Sequence, residues 1–189
     1  APFLWVFSAS LRTFSDATAL PPKWLPPALG EWNMKYFDKL CSGQIPFFTF
    51  MRNSLKISTI ITAGMVCHGA LAGYAYARLS FKGKNVMFGL MLVGMMVPVQ
   101  VTIVPLFKIM NLLGVINTAA AVTLPSVFGA MCPGFAGAFG IFMMRQFFMT
   151  VPAEMEEAAT IDGAGIIRTF FSIMLPMAKS TLASLAIIV

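Results

Sequence analysis

Apolar runs fill most of the chain, and the polar residues fall between them in short clusters. The run from about 50 to 78, NSLKISTIITAGMVCHGALAGYAYARL with its flanks, has the length of a bilayer crossing, for which about 20 apolar residues suffice. Arg52 and Lys56 mark its start and Arg78 its end, and it predicts a transmembrane helix. Gly69 and Gly73 stand four apart within it, a spacing that lets two helix backbones approach closely. SFKGKN (80 to 85) is a short basic turn. The next run, 86 to about 107, carries Pro98, Gln100 and Pro105, which predict a bent helix whose freed carbonyls are satisfied by neighbouring protein. KIMNLLGVINT reads as a brief link. A further run, about 118 to 148, contains Pro125, Pro133 and several glycines, and predicts an irregular helix packed among others.

Residues 1 to 11 read as the end of one helix. The stretch from 12 to 49 mixes charge with two Pro-Pro pairs, and because proline fixes φ and cannot donate to a helix ladder, it predicts a polar excursion outside the lipid. The first and last residues, APFLWVFSA and STLASLAIIV, are apolar runs of about ten residues, half of a span. Neither has the layout of a signal peptide. They predict a fragment of a longer membrane chain, cut inside a helix at each end.

Composition strengthens this picture. The chain is 58% hydrophobic, 11% charged and has a mean hydropathy of +0.82, whereas soluble domains carry about 25% charged residues. A body of 189 residues leaves much of its surface exposed, so that surface faces lipid. The net charge of +6 is spread along the chain, with no basic stripe interleaved with aromatics, and points away from nucleic acid. Charge flanking the short loops places 79 to 85 and 149 to 178 in the cytoplasm. Cys41, Cys67 and Cys132 lack metal-ligand spacing, and Cys67 and Cys132 read as small buried hydrophobes.

The candidate chemistry lies in MTVPAEMEEAATIDGAGIIRTFFSIMLP. Pro152 suits a first helical turn, and Glu154, Glu156 and Glu157 then sit where the positive end of the helix dipole favours carboxylates. At helical spacing Glu154, Glu157, Ala158 and Ile161 share one face. Gly163 and Gly165 permit a turn, and Ile166, Ile167, Phe170, Phe171, Ile173 and Met174 form a second apolar stripe leading to Leu175 and Pro176. The small alanines let a partner groove approach the backbone, and the carboxylate offers a site for a partner Arg or Lys. The expectation is a docking surface. The alternative, a helix lying on lipid, normally has a polar face rich in Lys and Arg.

Glu157-Ala158-Ala159, three residues, Gly163, nine residues, Ile173, one residue, Leu175-Pro176: this order resembles the EAA loop of permease subunits from bacterial ABC importers. LWVFSASLRT, PPKWLPP, NSLKIS, AGYAYARLSFKGK, MMVPVQVTIVPLFKIMNLLGVINT and GIFMMRQFF are similar to the carbohydrate-uptake branch, in particular the second permease of maltose and multiple-sugar systems. The resemblance implies an all-α, polytopic transmembrane bundle of the type I importer permease fold. One transmembrane domain would cover 1–189, lacking most of the first helix, most of the fifth and all of the sixth. Residues 12–49 would form an external loop and 149–178 the cytoplasmic coupling loop. Glu157 would pair with a basic residue of an ATPase, Ala158 and Ala159 would allow close contact, and Gly163 would make the bend. Asp162 follows the sugar-branch pattern DGA, and Ile173, Leu175 and Pro176 complete the loop.

The same resemblance implies the partners and the setting: a second permease subunit, two cytoplasmic ATPase subunits holding ATP and Mg, an extracytoplasmic solute-binding protein and membrane lipid, at a bacterial inner membrane. This chain would bind no cofactor or metal and would not be an enzyme. Gly83-Lys84, its only Gly-Lys pair, is followed by Asn85 and lacks the earlier glycine of a phosphate-binding loop. Closure of the ATPase dimer would carry the docked helices together and rock the membrane helices between two states of access. A permease for a non-sugar solute is the alternative within the family. A secondary transporter without an ATPase is the alternative outside it, and would be expected to carry intramembrane carboxylates. The chain's seven acids all lie in the external or docking loops.

The remaining polar residues leave two readings each. His68 within its apolar helix reads as a packing residue bonded to a neighbouring helix, or as functional. Gln100 and Asn117 could line a solute path or bond between helices. Trp5, Trp24, Trp32 and Tyr36 fit interfacial anchoring, contact with an external protein, or sugar stacking.

Overall fold

The computed structural model describes residues 2–43, 46–128 and 137–189. They are helical, and they gather into two compact units, Ala1–Ser54 and Leu55–Val189. Cys132, Pro133 and some of the glycines of that run lie outside the described residues.

The first unit holds α1 (Pro2–Ser10), α2 (Phe14–Ala17) and α3 (Lys35–Cys41). The stretch expected to be a polar excursion therefore contains two short helices joined by its proline-rich segment. Its organising residue is Arg12, which is largely buried. Its guanidinium donates to Asp16 Oδ2 at 2.8 Å, to the Ser8 hydroxyl and to the Leu25 carbonyl. Lys23 Nζ reaches the other Asp16 oxygen at 2.6 Å. The two cations, Lys23 foremost and then Arg12, hold the Asp16 carboxyl below its ordinary range.

α4 (Phe47–Arg78) is 32 residues long, or about 48 Å at 1.5 Å per residue, more than a hydrocarbon core requires. Among the described residues it is the one unbroken helix long and apolar enough to cross a bilayer. α5 (Lys84–Met95) and α6 (Val99–Leu112) qualify together but are bent by 106°. The break falls at Pro98, where the sequence predicted a bend, and Pro105 is accommodated inside α6. α6 runs on through Leu112, so the first half of the expected link is helix. KIMNLL contains good helix formers, and Gly114 with φ +68 supplies the stop.

α7 (Ala120–Phe128) and α8 (Gly137–Thr150) occupy the described parts of the next run. α9 (Glu154–Ile161) and α10 (Ile166–Thr169) follow, then a wider turn at Phe170–Met174, α11 (Leu175–Met177) and α12 (Lys179–Ile188). The wide turn has a cause in the sequence. Pro176 cannot donate, and its ring would clash with the carbonyl four residues back. The ladder loosens just before it, with the Leu175 amide bonding the Phe170 carbonyl five residues away. The axis from Ile166–Met177 into Lys179–Ile188 bends by 73°. Counting each bent pair as one broken span gives up to three membrane crossings among the described residues.

The glycine pair of α4 does what its spacing suggested. A Cβ at Gly69 would lie 3.1 Å from the backbone of Gly140, and one at Gly73 only 2.6 Å from Met144 Cβ, so α4 and α8 touch nearly backbone to backbone. One neighbouring expectation fails. Cys67 is exposed on α4 rather than buried, because the helix turns its glycine face to α8 and Cys67 lies off that face. His68 stacks loosely on Phe128, rings 6.4 Å apart, but its Nδ1 is buried with no hydrogen-bond partner among the described residues.

The main apolar cluster lies where α4, α8 and the segment 170–185 meet. Met144, Phe148, Met174, Ala178 and Leu185 are fully enclosed there, with Tyr74 and Phe170 beside them.

Candidate functional site

α9 carries three glutamates in its first turn, where the positive end of the helix dipole favours carboxylates. It stops at Gly163, whose φ of +77 is a left-handed conformation that costs an L side chain energy. Two hydrogen bonds close the end. The Gly163 amide donates to the Thr160 carbonyl at 3.0 Å, and the Ala164 amide to the Ala159 carbonyl at 2.8 Å, the paired arrangement that satisfies the last carbonyls of a helix. Asp162 caps this end and is exposed. Gly165 has an extended backbone, φ −73, that any residue adopts, so the expected turn depends on Gly163 alone.

The helix has two different sides. Glu154, Glu157, Ala158 and Ile161 are exposed, the face that helical spacing marked out. Ala159 points the other way and is 5% exposed, so its small size serves packing within the chain. The landmarks further along are divided in the same manner. Ile173 and Leu175 are half-buried, with Leu175 against the main cluster, and Pro176 is exposed. The expected second stripe separates into two faces: Phe170 and Met174 are buried, whereas Ile166, Ile167 and Phe171 point outward. With Gly165 and Arg168 these three line an apolar cleft.

One residue of the acidic turn does something that the sequence did not reveal. Glu156 turns inward and accepts a hydrogen bond from the Tyr74 hydroxyl at 2.9 Å through Oε1. Its other oxygen, Oε2, lies 3.5 Å from Arg78 Nε, an ion pair without a hydrogen bond, both side chains being mostly shielded from solvent. Arg78 also donates from Nη2 to the Val151 carbonyl, just ahead of α9. Tyr74 is itself held: its ring packs edge-on against Phe148 at 5.6 Å and tilted against Phe170 at 5.1 Å. Tyr74, Arg78 and Glu156 line a cleft of 340 Å³ with Thr160, Ala164 and Thr169.

The basic turn after α4 is equally engaged. Lys84 donates to the Leu79 carbonyl at 2.9 Å and to that of Ala77 at 3.3 Å, so it closes the end of α4. Arg145 of α8 donates to the Tyr76 carbonyl at 3.3 Å and lies 4.1 Å over the Phe88 ring. The bond from Arg78 to the Val151 carbonyl puts the end of α4 and the start of the α9 loop in direct contact.

Among the described residues, then, one unbroken helix long and apolar enough to cross a membrane, two sharply bent helix pairs and an acidic helix between them make up the helical frame. The chain belongs to the family of binding-protein-dependent transport system inner membrane components, whose sequence pattern matches residues 65–189. It is 37% identical over 143 residues to the sn-glycerol-3-phosphate transport system permease protein UgpE of Yersinia pestis, covering 76% of this chain and 48% of that one. It is 35% identical over 142 residues to the arabinooligosaccharides transport system permease protein AraQ of Halalkalibacterium halodurans, covering 75% and 48%. The chain therefore spans about half the length of these relatives. Its fold is also that of a bacterial ABC transporter involved in import of the acidic polysaccharide alginate, with a TM-score of 0.80 at 22% identity, over 99% of this chain and 62% of that one.

Proposed function

We propose that the chain is part of the membrane-spanning subunit of an ATP-driven importer that moves a sugar or oligosaccharide across the bacterial inner membrane. On this reading 1–189 is one transmembrane domain, 12–49 its external loop and 149–178 its cytoplasmic coupling loop. α9 is the element that docks into a separate ATPase subunit. The observation that carries the proposal is the division of α9: Ala159 and Glu156 fasten it inward, while Glu157 and Ala158 stand exposed. An exposed carboxylate beside a residue with almost no side chain fits a groove that brings a basic group and approaches the backbone closely.

Asp162 and Gly163 end the helix there, and Ile173, Leu175 and Pro176 set the bend into the last helix. The sugar assignment is supported by the similarity to the arabinooligosaccharides permease, whereas the similar UgpE belongs to a glycerol 3-phosphate system. The partners on this reading are a second permease, two ATPase subunits that carry ATP and Mg, an extracytoplasmic binding protein and lipid. ATP drives import by favouring one state of access over the other, which requires differential affinity for the two states.

The test is co-purification of the full-length protein with its partners, wild type against Glu157→Lys, followed by ATPase and uptake assays. Labelled arabino-oligosaccharide, maltose and glycerol 3-phosphate serve as probes. An ATPase held by the wild type and lost or uncoupled in the variant supports docking through Glu157. An ATPase retained and fully coupled in the variant rules it out, and uptake of glycerol 3-phosphate alone overturns the sugar assignment.

A further inference from the structure

We propose that Glu156 is the joint through which α9 moves α4, a positioning residue for transport rather than part of the exposed docking face. The inference rests on the reading of α9 as the coupling helix. Both covalent connections of α9 are turns, at 151–153 and 162–165, and a turn bends under load. A helix held only by two turns would swivel when a partner pushed it. To act as a lever it must be tied through side chains to an element that crosses the membrane.

The last turn of α4 makes that tie. Tyr74 and Arg78 are four residues apart and so lie on one face. Both reach Glu156, and Arg78 also holds the Val151 carbonyl, so α4 grips the loop on either side of the start of α9. Tyr74 cannot yield easily, since its ring is wedged against Phe148 and Phe170. One turn earlier, Gly73 and Gly69 bring α4 against the backbone of α8. The contacts thus run without a gap from α9 through Glu156 into α4 and on to α8. Glu154 and Glu157, in the same acidic turn, are exposed.

The experiment uses the full-length complex in lipid nanodiscs, with native cysteines replaced and spin labels at Met155→Cys on α9 and Leu71→Cys on α4, both exposed and both outside the docking face. The distance distribution is recorded without nucleotide and with MgATP plus vanadate. With Glu156 intact, one narrow distribution unchanged by nucleotide is expected, because the two helices move as one body. Glu156→Ala and Tyr74→Phe should each broaden it and make it shift with nucleotide, and combining them should add little to Glu156→Ala alone, which already leaves the Tyr74 hydroxyl without its acceptor. Tyr74→Phe keeps the ring and its packing, so misfolding does not confuse the result. Unchanged narrow distributions in both variants, or a nucleotide-dependent distance with Glu156 intact, would overturn the inference while leaving docking in place. A complex that carries no ATPase would overturn docking and the inference together.

Discussion

Replacing Gly73 by alanine adds a single methyl group at the closest point between α4 and α8. That methyl carbon would lie 2.6 Å from Met144 Cβ and 2.9 Å from the Arg145 amide nitrogen. Unstrained carbon contacts lie at about 3.5–4.0 Å, so the helices must part by about 1 Å. The obstacle is backbone and Cβ, which cannot rotate aside as the tip of a flexible side chain would. Overpacking of this kind costs about 1–3 kcal/mol, against a gain of up to about 1 kcal/mol from the better helix propensity of alanine. A net loss of up to about 2 kcal/mol is expected. Gly89→Ala is the control, because a Cβ there meets nothing within 4 Å and gains only the propensity. Thermal unfolding of the full-length protein in detergent should show a lower midpoint for Gly73→Ala and an equal or higher one for Gly89→Ala. A Gly73→Ala protein that melts at or above the wild type would refute the claim that α4 and α8 meet at backbone distance.

Gly163→Ala should lower the stability of the α9 loop by about 1 kcal/mol, because a side chain there must enter the left-handed region, and faster proteolysis of the loop would register it. Lys84→Met should fray the end of α4 by removing its grip on the Leu79 and Ala77 carbonyls, detectable as faster amide exchange over 75–79. In the first unit, the Asp16 carboxyl is held below its ordinary value of 3.8, so the stabilisation it provides is present above that value and is lost as pH falls through the lowered one. The fluorescence of Trp24 and Trp32 should report this transition on acidification, and Asp16→Asn should abolish it.

The parts of the molecule that were legible in the sequence are those set by one residue's own chemistry. The length of the apolar run gave α4, Pro98 gave the break between α5 and α6, and Gly163 gave the end of α9. The glycine pair of α4 announced a close approach, though not that α8 was the partner. Glu156 was hidden because it shares a helical turn with Glu154 and Glu157, and only the position of Tyr74, 82 residues earlier, separates their roles. Its one signal was periodic: Glu156 falls off the face shared by Glu154, Glu157, Ala158 and Ile161. Cys67 was misplaced for a related reason, since an apolar helix in a membrane gives no contrast between the side facing protein and the side facing lipid.

The central claim is that one face of α9 is for a partner and the other is for the chain itself. Ala158 and Ala159 are adjacent and chemically identical, yet one is exposed and the other buried. In native membranes containing the full-length complex, with its other cysteines replaced, Ala158→Cys should cross-link to the ATPase subunit through a short thiol-reactive linker, and Ala159→Cys should not. Equal cross-linking at both positions, or capture of the ATPase only from Ala159→Cys, would contradict the account.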